Sequence, residues 1–199
     1  MKLKDITPYY ERKIRKRLRL YFNLANDEDI KEGMQWYDTA NEYVENMHRE
    51  TSSFTTTQIA GVISALSPRN KWDRNLQDAL SVLNAVEKNK HPNDIKVCTF
   101  NTNKFKAFAI AQGTVGINNK SRKTFSFVKN ISELDPNYVT IDVWHLRAMF
   151  GKTIESGLTP KRYDKLADIT KDEARKVGLL GYQYQAIIWT VIRNMDEII

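Results

Sequence analysis

Apolar side chains recur at helical spacing along almost the whole chain, and the strict alternation expected of strands is scarce. The first run, residues 8–24, gathers Tyr9, Ile14, Leu18, Leu20 and Tyr21 and leaves Arg12 to Arg19, RKIRKRLR, to show a basic face. That face is either a phosphate contact or a solvated helix surface. Asn26 or Asp27 can cap a second helix over 28–48, in which Met34, Trp36, Tyr37, Ala40, Tyr43, Val44 and Met47 read as a core stripe. Thr55 with Gln58 forms a capping-box pattern ahead of IAGVISALS. The small residues Ala60, Gly61, Ser64 and Ala65 suit this third helix to a central buried position. It ends at Ser67-Pro68, because the residue before a proline leaves helical space.

The loop SPRNKWDRN leads into a helix over 73–89, and His91-Pro92-Asn93-Asp94 is a turn. Residues 99–113 read as a capped helix with Lys104 and Lys106 exposed and Phe105, Phe108 and Ile110 inward. A basic helix over 120–131 follows. Val139-Thr140-Ile141 is extended, and Asp142 can cap a helix over 143–150 whose Trp144 and Met149 read as core. Thr159-Pro160 opens another helix, and Thr170 with Glu173 forms a second capping-box pattern that opens KDEARKVG. In the last helix, 181–197, Ala186, Ile187 and Val191 are core-like. Tyr182, Gln183, Tyr184, Gln185 and Trp189 exceed what a simple core needs, and Gln185 and Trp189 share a face one turn apart. The expectation is an all-α chain of about nine or ten helices, one domain in two lobes over 1–199.

A chain of 199 residues buries a real core without disulfide or metal staples. Its 31 Lys and Arg against 24 Asp and Glu give a formal net charge of +7, concentrated near 12–19, 69–74 and 120–129. Such a charge suits an anionic partner, nucleic acid ahead of an acidic membrane surface, and equally a protein that is merely basic and soluble. The single cysteine, Cys98, excludes an internal disulfide framework and a four-cysteine zinc or iron–sulfur site. No apolar run is long enough to span a bilayer, and MKLKDITPYY lacks the apolar core of a signal peptide, so the expected location is cytoplasmic and no membrane partner is expected. His48, His91 and His145 lie far apart without metal-ligand spacing, so no metal is expected; a glycine-rich phosphate loop is also missing.

Three groups of residues remain for chemistry. The loop residues Arg69, Asn70, Lys71, Trp72 and Arg74 combine an aromatic ring with basic and amide groups, a set suited to stacking on bases; alternatively Trp72 packs on its own helix and the charges are solvated. Lys123 and Asp142 each stand at a helix start, so Lys123 is a nucleophile or a phosphate contact, and Asp142 a catalytic acid or an N-cap. Gln185 and Trp189 either line a pocket or pack against a neighbouring helix.

Taken in order, these pieces resemble the helix–hairpin–helix DNA glycosylase superfamily, which includes endonuclease III and the eight-oxoguanine glycosylases; the pattern is nearest to the latter branch. The resemblance covers about 59–194 and rests on five segments. IAGVISALSPRN (59–70) is similar to the early helix whose end carries the residues that fill the hole in the duplex. TFNTNKFKAFAI (99–110) is similar to the helix before the hairpin, and RKTFSFVKN (122–130), after GINNKS, to the hairpin's second half. VTIDVWHLRAMFG (139–151) resembles the segment that delivers the catalytic aspartate, at an interval from Lys123 that suits the family. GLLGYQYQAIIWTVIRN (178–194) resembles the final helix, where a glutamine and an aromatic ring hold the extruded base. The family's hairpin usually has two glycines where Asn119 and Ser121 stand here, so the hairpin is altered and its phosphate grip falls to Lys120 and Arg122.

The resemblance implies a two-lobed helical fold and a base-excision enzyme of DNA repair or DNA modification, a hydrolase or lyase working on double-stranded DNA as a monomer, with no cofactor and no iron–sulfur cluster. Phage-encoded relatives point to the host cytoplasm and to base hypermodification as a second role. Base chemistry in a duplex requires extruding the nucleotide. The gap would be filled by Asn70, Arg69 or Trp72. The base would rest on Trp189 and be read by Gln185, whose amide both donates and accepts, with Tyr184 or Tyr182 lining the pocket. Asp142 would stabilise the oxocarbenium-like sugar and orient or activate the nucleophile. Lys123, its pKa lowered by burial and by Arg122 and Lys120, would attack C1′ and form a Schiff base, adding AP-lyase activity. Two other readings stand beside this one: a base-modifying enzyme on the same scaffold, and a non-catalytic module whose DNA binding falls with salt.

Overall fold

The computed structural model of the chain describes residues 6–151 and 158–197. Residues 1–5, part of the N-terminal stretch read above for a signal peptide, lie outside them. The described residues form nine α-helices, one short 3-10 turn at Pro92–Asp94 and no strand. The helices are α1 (Pro8–Leu24), α2 (Asp27–Glu50), α3 (Thr56–Leu66), α4 (Trp72–Glu87), α5 (Asn101–Ala111), α6 (Arg122–Glu133), α7 (Val143–Phe150), α8 (Pro160–Lys176) and α9 (Gly181–Glu197). Among the described residues no helix is long and apolar enough to cross a membrane.

The helix starts follow their caps. Asn26 with Asp29, and Thr55 with Gln58, form two-way capping boxes at α2 and α3. Asp142 accepts from the His145 N–H to cap α7. Two hydrophobic clusters fill the interior. One gathers residues of α2, α3, α4, α5 and α6; the other gathers residues of α1, α7 and α8 with Val139 and Ile141. Helix α9 is shared, giving Tyr182 and Ala186 to the first and Tyr184, Ile188 and Ile192 to the second. Every residue of α3 from Ile59 to Leu66 is buried, as an all-round apolar helix must be. Helices α2 and α9 approach closely at Gly33, where a Cβ would lie 2.5 Å from the Ile187 backbone.

Several expectations change. Thr170 and Glu173 do not start a helix, because α8 runs unbroken from Pro160 to Lys176. The Thr170 hydroxyl donates back to the Leu166 carbonyl at 2.9 Å, and Glu173 is held by Arg15, Arg19 and Lys176. Lys104 is buried, its ammonium on the Ile95 carbonyl at 3.1 Å, while Phe105 is exposed. A long lysine stem can cover apolar surface while its head finds a carbonyl, which residue class alone does not reveal. Met34 and Tyr43 leave the core stripe of α2 and face outward. The basic face of α1 is partly consumed within the protein. Arg15 pairs with Glu11, Asp172 and Glu173, and Arg17 donates to the Ala148 and Arg147 carbonyls at the end of α7.

Candidate active site

The segment that delivers Asp142 has no strand to pair with, so its backbone groups need other partners. Two buried side chains supply them. The Tyr163 hydroxyl of α8 donates to the Val139 carbonyl and accepts from the Ile141 N–H, both at 2.9 Å. The Asn130 amide of α6 donates to the Tyr138 carbonyl at 2.9 Å and accepts from the Thr140 hydroxyl at 3.0 Å. The extended piece 138–141 is thereby fixed between α6 and α8, and Asp142 is set at the mouth of α7.

Asp142 forms part of the wall of a cleft of about 410 Å³ that collects residues from six stretches of chain. Trp36 and Tyr37 come from α2, and Ser67 to Asn70 from the loop after α3. Trp72 and Asn75 come from α4, and Lys123 and Phe127 from α6. Thr140, Asp142, Val143 and Trp144 come from the Asp142 segment, and Gln185 and Trp189 from α9. All four tryptophans of the chain line it. Trp36 is their hub, with ring centroids 5.1 Å from Trp72 and 5.7 Å from Trp189. The Arg193 guanidinium lies 4.5 Å over Trp189. Lys123, Asp142 and Val143 also line a neighbouring cleft of about 530 Å³, whose walls include Lys120, Ser121 and Thr124 at the start of α6. Helix starts and lysines make that second cleft electropositive, a setting for phosphate.

Asp142 is only partly exposed, but it is densely surrounded. Burial pushes its carboxyl above the ordinary carboxylate range, against the His145 N–H bond at 2.7 Å and the nearby charge of Lys123, which both favour the anion. Lys123 is exposed, not buried as the resemblance implied. Gln185 is buried and accepts from the Tyr37 phenol at 2.8 Å. His145 points away from the cleft. Its Nε2 meets the Thr170 hydroxyl at 3.0 Å, its Nδ1 has no partner among the described residues, and burial pushes its pKa down to about 3. Among the described residues no group of three or more His, Cys, Asp and Glu could hold a metal ion.

The structure thus brings Lys123, Asp142, Gln185, Trp189, Arg69, Asn70 and Trp72 to one cleft. It does not bring Tyr184, which stacks on Phe22 at 4.9 Å in the second cluster, or Tyr182, which packs edge-on against Tyr37 in the first. Both are buried core residues. Lys71 and Arg74 lie outside the cleft wall. Asp78 takes up much of this loop's polarity. Its carboxylate accepts from Asn70 at 2.9 Å, from Arg74 at 3.0 Å and from the Cys98 N–H at 2.7 Å. Arg69 remains exposed over the Phe100 ring. Arg122 is engaged by Asp164 at 2.8 and 3.0 Å and by the Asn119 carbonyl, which leaves Lys120 as the more available cation of the hairpin. Sequence reasoning assigned Trp36 and Trp144 to the core and overlooked Phe127 and Asn75; nothing in a core-like helix stripe marks a ring that ends at a cleft.

The described residues are therefore all-helical, with an aromatic cleft whose wall carries a half-buried carboxyl and a lysine. The chain belongs to a family of unknown function, DUF7178, whose model matches residues 1–196. No curated protein and no solved structure matches it.

Proposed function

We propose that the protein is a DNA glycosylase of the helix–hairpin–helix type, with the two hydrophobic clusters as its lobes, acting on a modified or damaged base turned out of the duplex. The observation that carries this reading is the convergence of Lys123, Asp142, Gln185 and Trp189 on one cleft from three separate parts of the chain. An extruded base has a flat apolar face and a polar edge. The tryptophan faces suit the first and the Gln185 amide the second. The phosphates on either side would lie along the neighbouring cleft, near Lys120 and the start of α6.

In the reaction, the C1′–N bond breaks and its electron pair leaves with the base. Asp142, ionised, stabilises the positive charge that develops on the sugar. Either water or the Lys123 amine then bonds to C1′ and gives up a proton. With lysine the ring opens to a Schiff base, and strand cleavage follows by β-elimination.

The test is to incubate the protein with duplexes carrying a panel of damaged and modified bases, measuring free base and abasic sites. Release that is abolished in Asp142→Asn is expected; no release from any duplex overturns the reading. Borohydride trapping tests the lyase step, and an adduct unchanged in Lys123→Ala removes Lys123 from it. A mass change in a nucleoside without abasic sites would assign base-modifying chemistry to the same cleft instead.

A further inference from the structure

The cleft holds two buried carboxamides, and each already has one end engaged by the protein. Gln185 uses Oε1 to accept from Tyr37 at 2.8 Å, which leaves its Nε2 to donate. Asn75 is 2% exposed and donates Nδ2 to the Ile63 carbonyl of α3 at 3.1 Å, which leaves Oδ1. That oxygen has no partner among the described residues and is closed off from solvent. A buried acceptor without a donor is destabilising and rare in folded proteins. The structural job of Asn75, tying α4 to α3, uses only its nitrogen. An apolar residue would avoid the orphaned oxygen. Trp72 stands one turn earlier on the same helix and lines the same cleft, so the acceptor lies next to a stacking ring.

We propose, building on the base-cleft reading above, that Asn75 is a specificity-determining residue whose Oδ1 accepts an N–H from a planar heterocycle held against the tryptophans. Gln185 donates to a carbonyl or ring nitrogen of the same ligand. The ligand class is a nucleobase that turns an unsubstituted N–H toward α4, and rings with every N–H alkylated are rejected. Entry turns the Trp72 indole aside and opens Oδ1 to the ligand.

The probes are uracil against 1,3-dimethyluracil and xanthine against caffeine. Each pair keeps its carbonyls and ring plane and differs in having N–H groups or none. Binding is titrated by saturation-transfer NMR and by quenching of the cleft tryptophans. The expected result is that the parent rings bind at least tenfold tighter than the methylated ones, and that Asn75→Leu binds both members of a pair alike. Equal binding of parent and methylated rings by the unaltered protein overturns the assignment, as does discrimination that persists in Asn75→Leu. If that variant does not fold, the comparison on the unaltered protein decides alone. Failure of all four rings to bind overturns the base-cleft reading itself.

Discussion

Asp142 caps α7 and also stands as a half-buried carboxyl in the cleft, and two substitutions separate these roles. Asparagine caps as well as aspartate, whereas alanine at an N-cap costs about 1 kcal/mol. The charge acts in the opposite sense. Its pKa is raised in the folded protein, mainly by burial. The folded state therefore binds this proton more readily than the unfolded state. Above the folded pKa the group detracts from stability, and that penalty is relieved as pH falls through the folded pKa toward the ordinary value. At pH 7, Asp142→Asn keeps the cap, loses the burdened charge and is expected to melt at or above the unaltered protein. Asp142→Ala should melt below Asp142→Asn by about 2–4 °C, the shift that 1 kcal/mol gives in a chain of this size. Both should lose base release, by roughly 10²–10⁴-fold, the usual range for a positioned acid or base. Thermal melts and single-turnover base release measure the two effects. An Asn variant that melts several degrees low, or one that releases base within threefold of the unaltered protein, refutes the division of roles.

The other expectations are shorter. Because Lys123 holds down the Asp142 pKa, Lys123→Gln should move the acidic limb of the rate profile to higher pH; a limb that stays in place separates the two groups. Buried neutral His145, with its pKa near 3 against an ordinary 6.5, contributes stability that is lost as pH falls below 6.5. Between pH 7 and pH 5 that loss is about 2 kcal/mol, and denaturant melts of His145→Gln should show a flatter acid slope. Gly33→Ala forces a methyl to within 2.5 Å of the α9 backbone, and overpacking of this kind costs about 1–3 kcal/mol, visible as a lowered melting temperature. Tyr163→Phe leaves the Val139 carbonyl and Ile141 N–H without their partner. It should lower the rate of base release more than DNA affinity, since Asp142 is positioned through that backbone.

The helices were legible because capping chemistry and apolar spacing are local. Asn26, Thr55 and Asp142 each cap a helix as their side chains demand. The same local logic failed at Thr170, where a capping pattern lies inside a helix whose ends are set by packing. It failed again at Lys104, whose ammonium finds the Ile95 carbonyl nine residues earlier, outside its own helix. For the cleft, Gln185 and Trp189 were legible because their face exceeded the needs of a core. Tyr182 and Tyr184 shared that excess, but alternate residues of α9 serve two clusters, a division that sequence spacing does not express. Trp36, Phe127 and Asn75 were hidden because each belongs to an ordinary amphipathic pattern and meets the others only in three dimensions.

Three departures from ordinary folding preferences meet at this one cleft. Asp142 is a carboxyl in a place that disfavours its charged form. Asn75 keeps an acceptor without a donor. Arg69 holds a left-handed backbone at φ 58°. The other two non-glycine residues with positive φ among the described residues, Asn89 and Leu134, sit just past the ends of α4 and α6, where such a conformation closes a helix. Arg69 stands in the loop between α3 and α4, over the exposed Phe100 ring and beside the tryptophans, as the third residue of a turn in which the Asn70 N–H donates to the Ser67 carbonyl at 3.2 Å, a place that ordinarily takes glycine or asparagine. Each departure has a simple remedy: asparagine, an apolar residue and glycine, respectively. Departures of this kind cluster at functional sites, and all three lie around this one aromatic cleft.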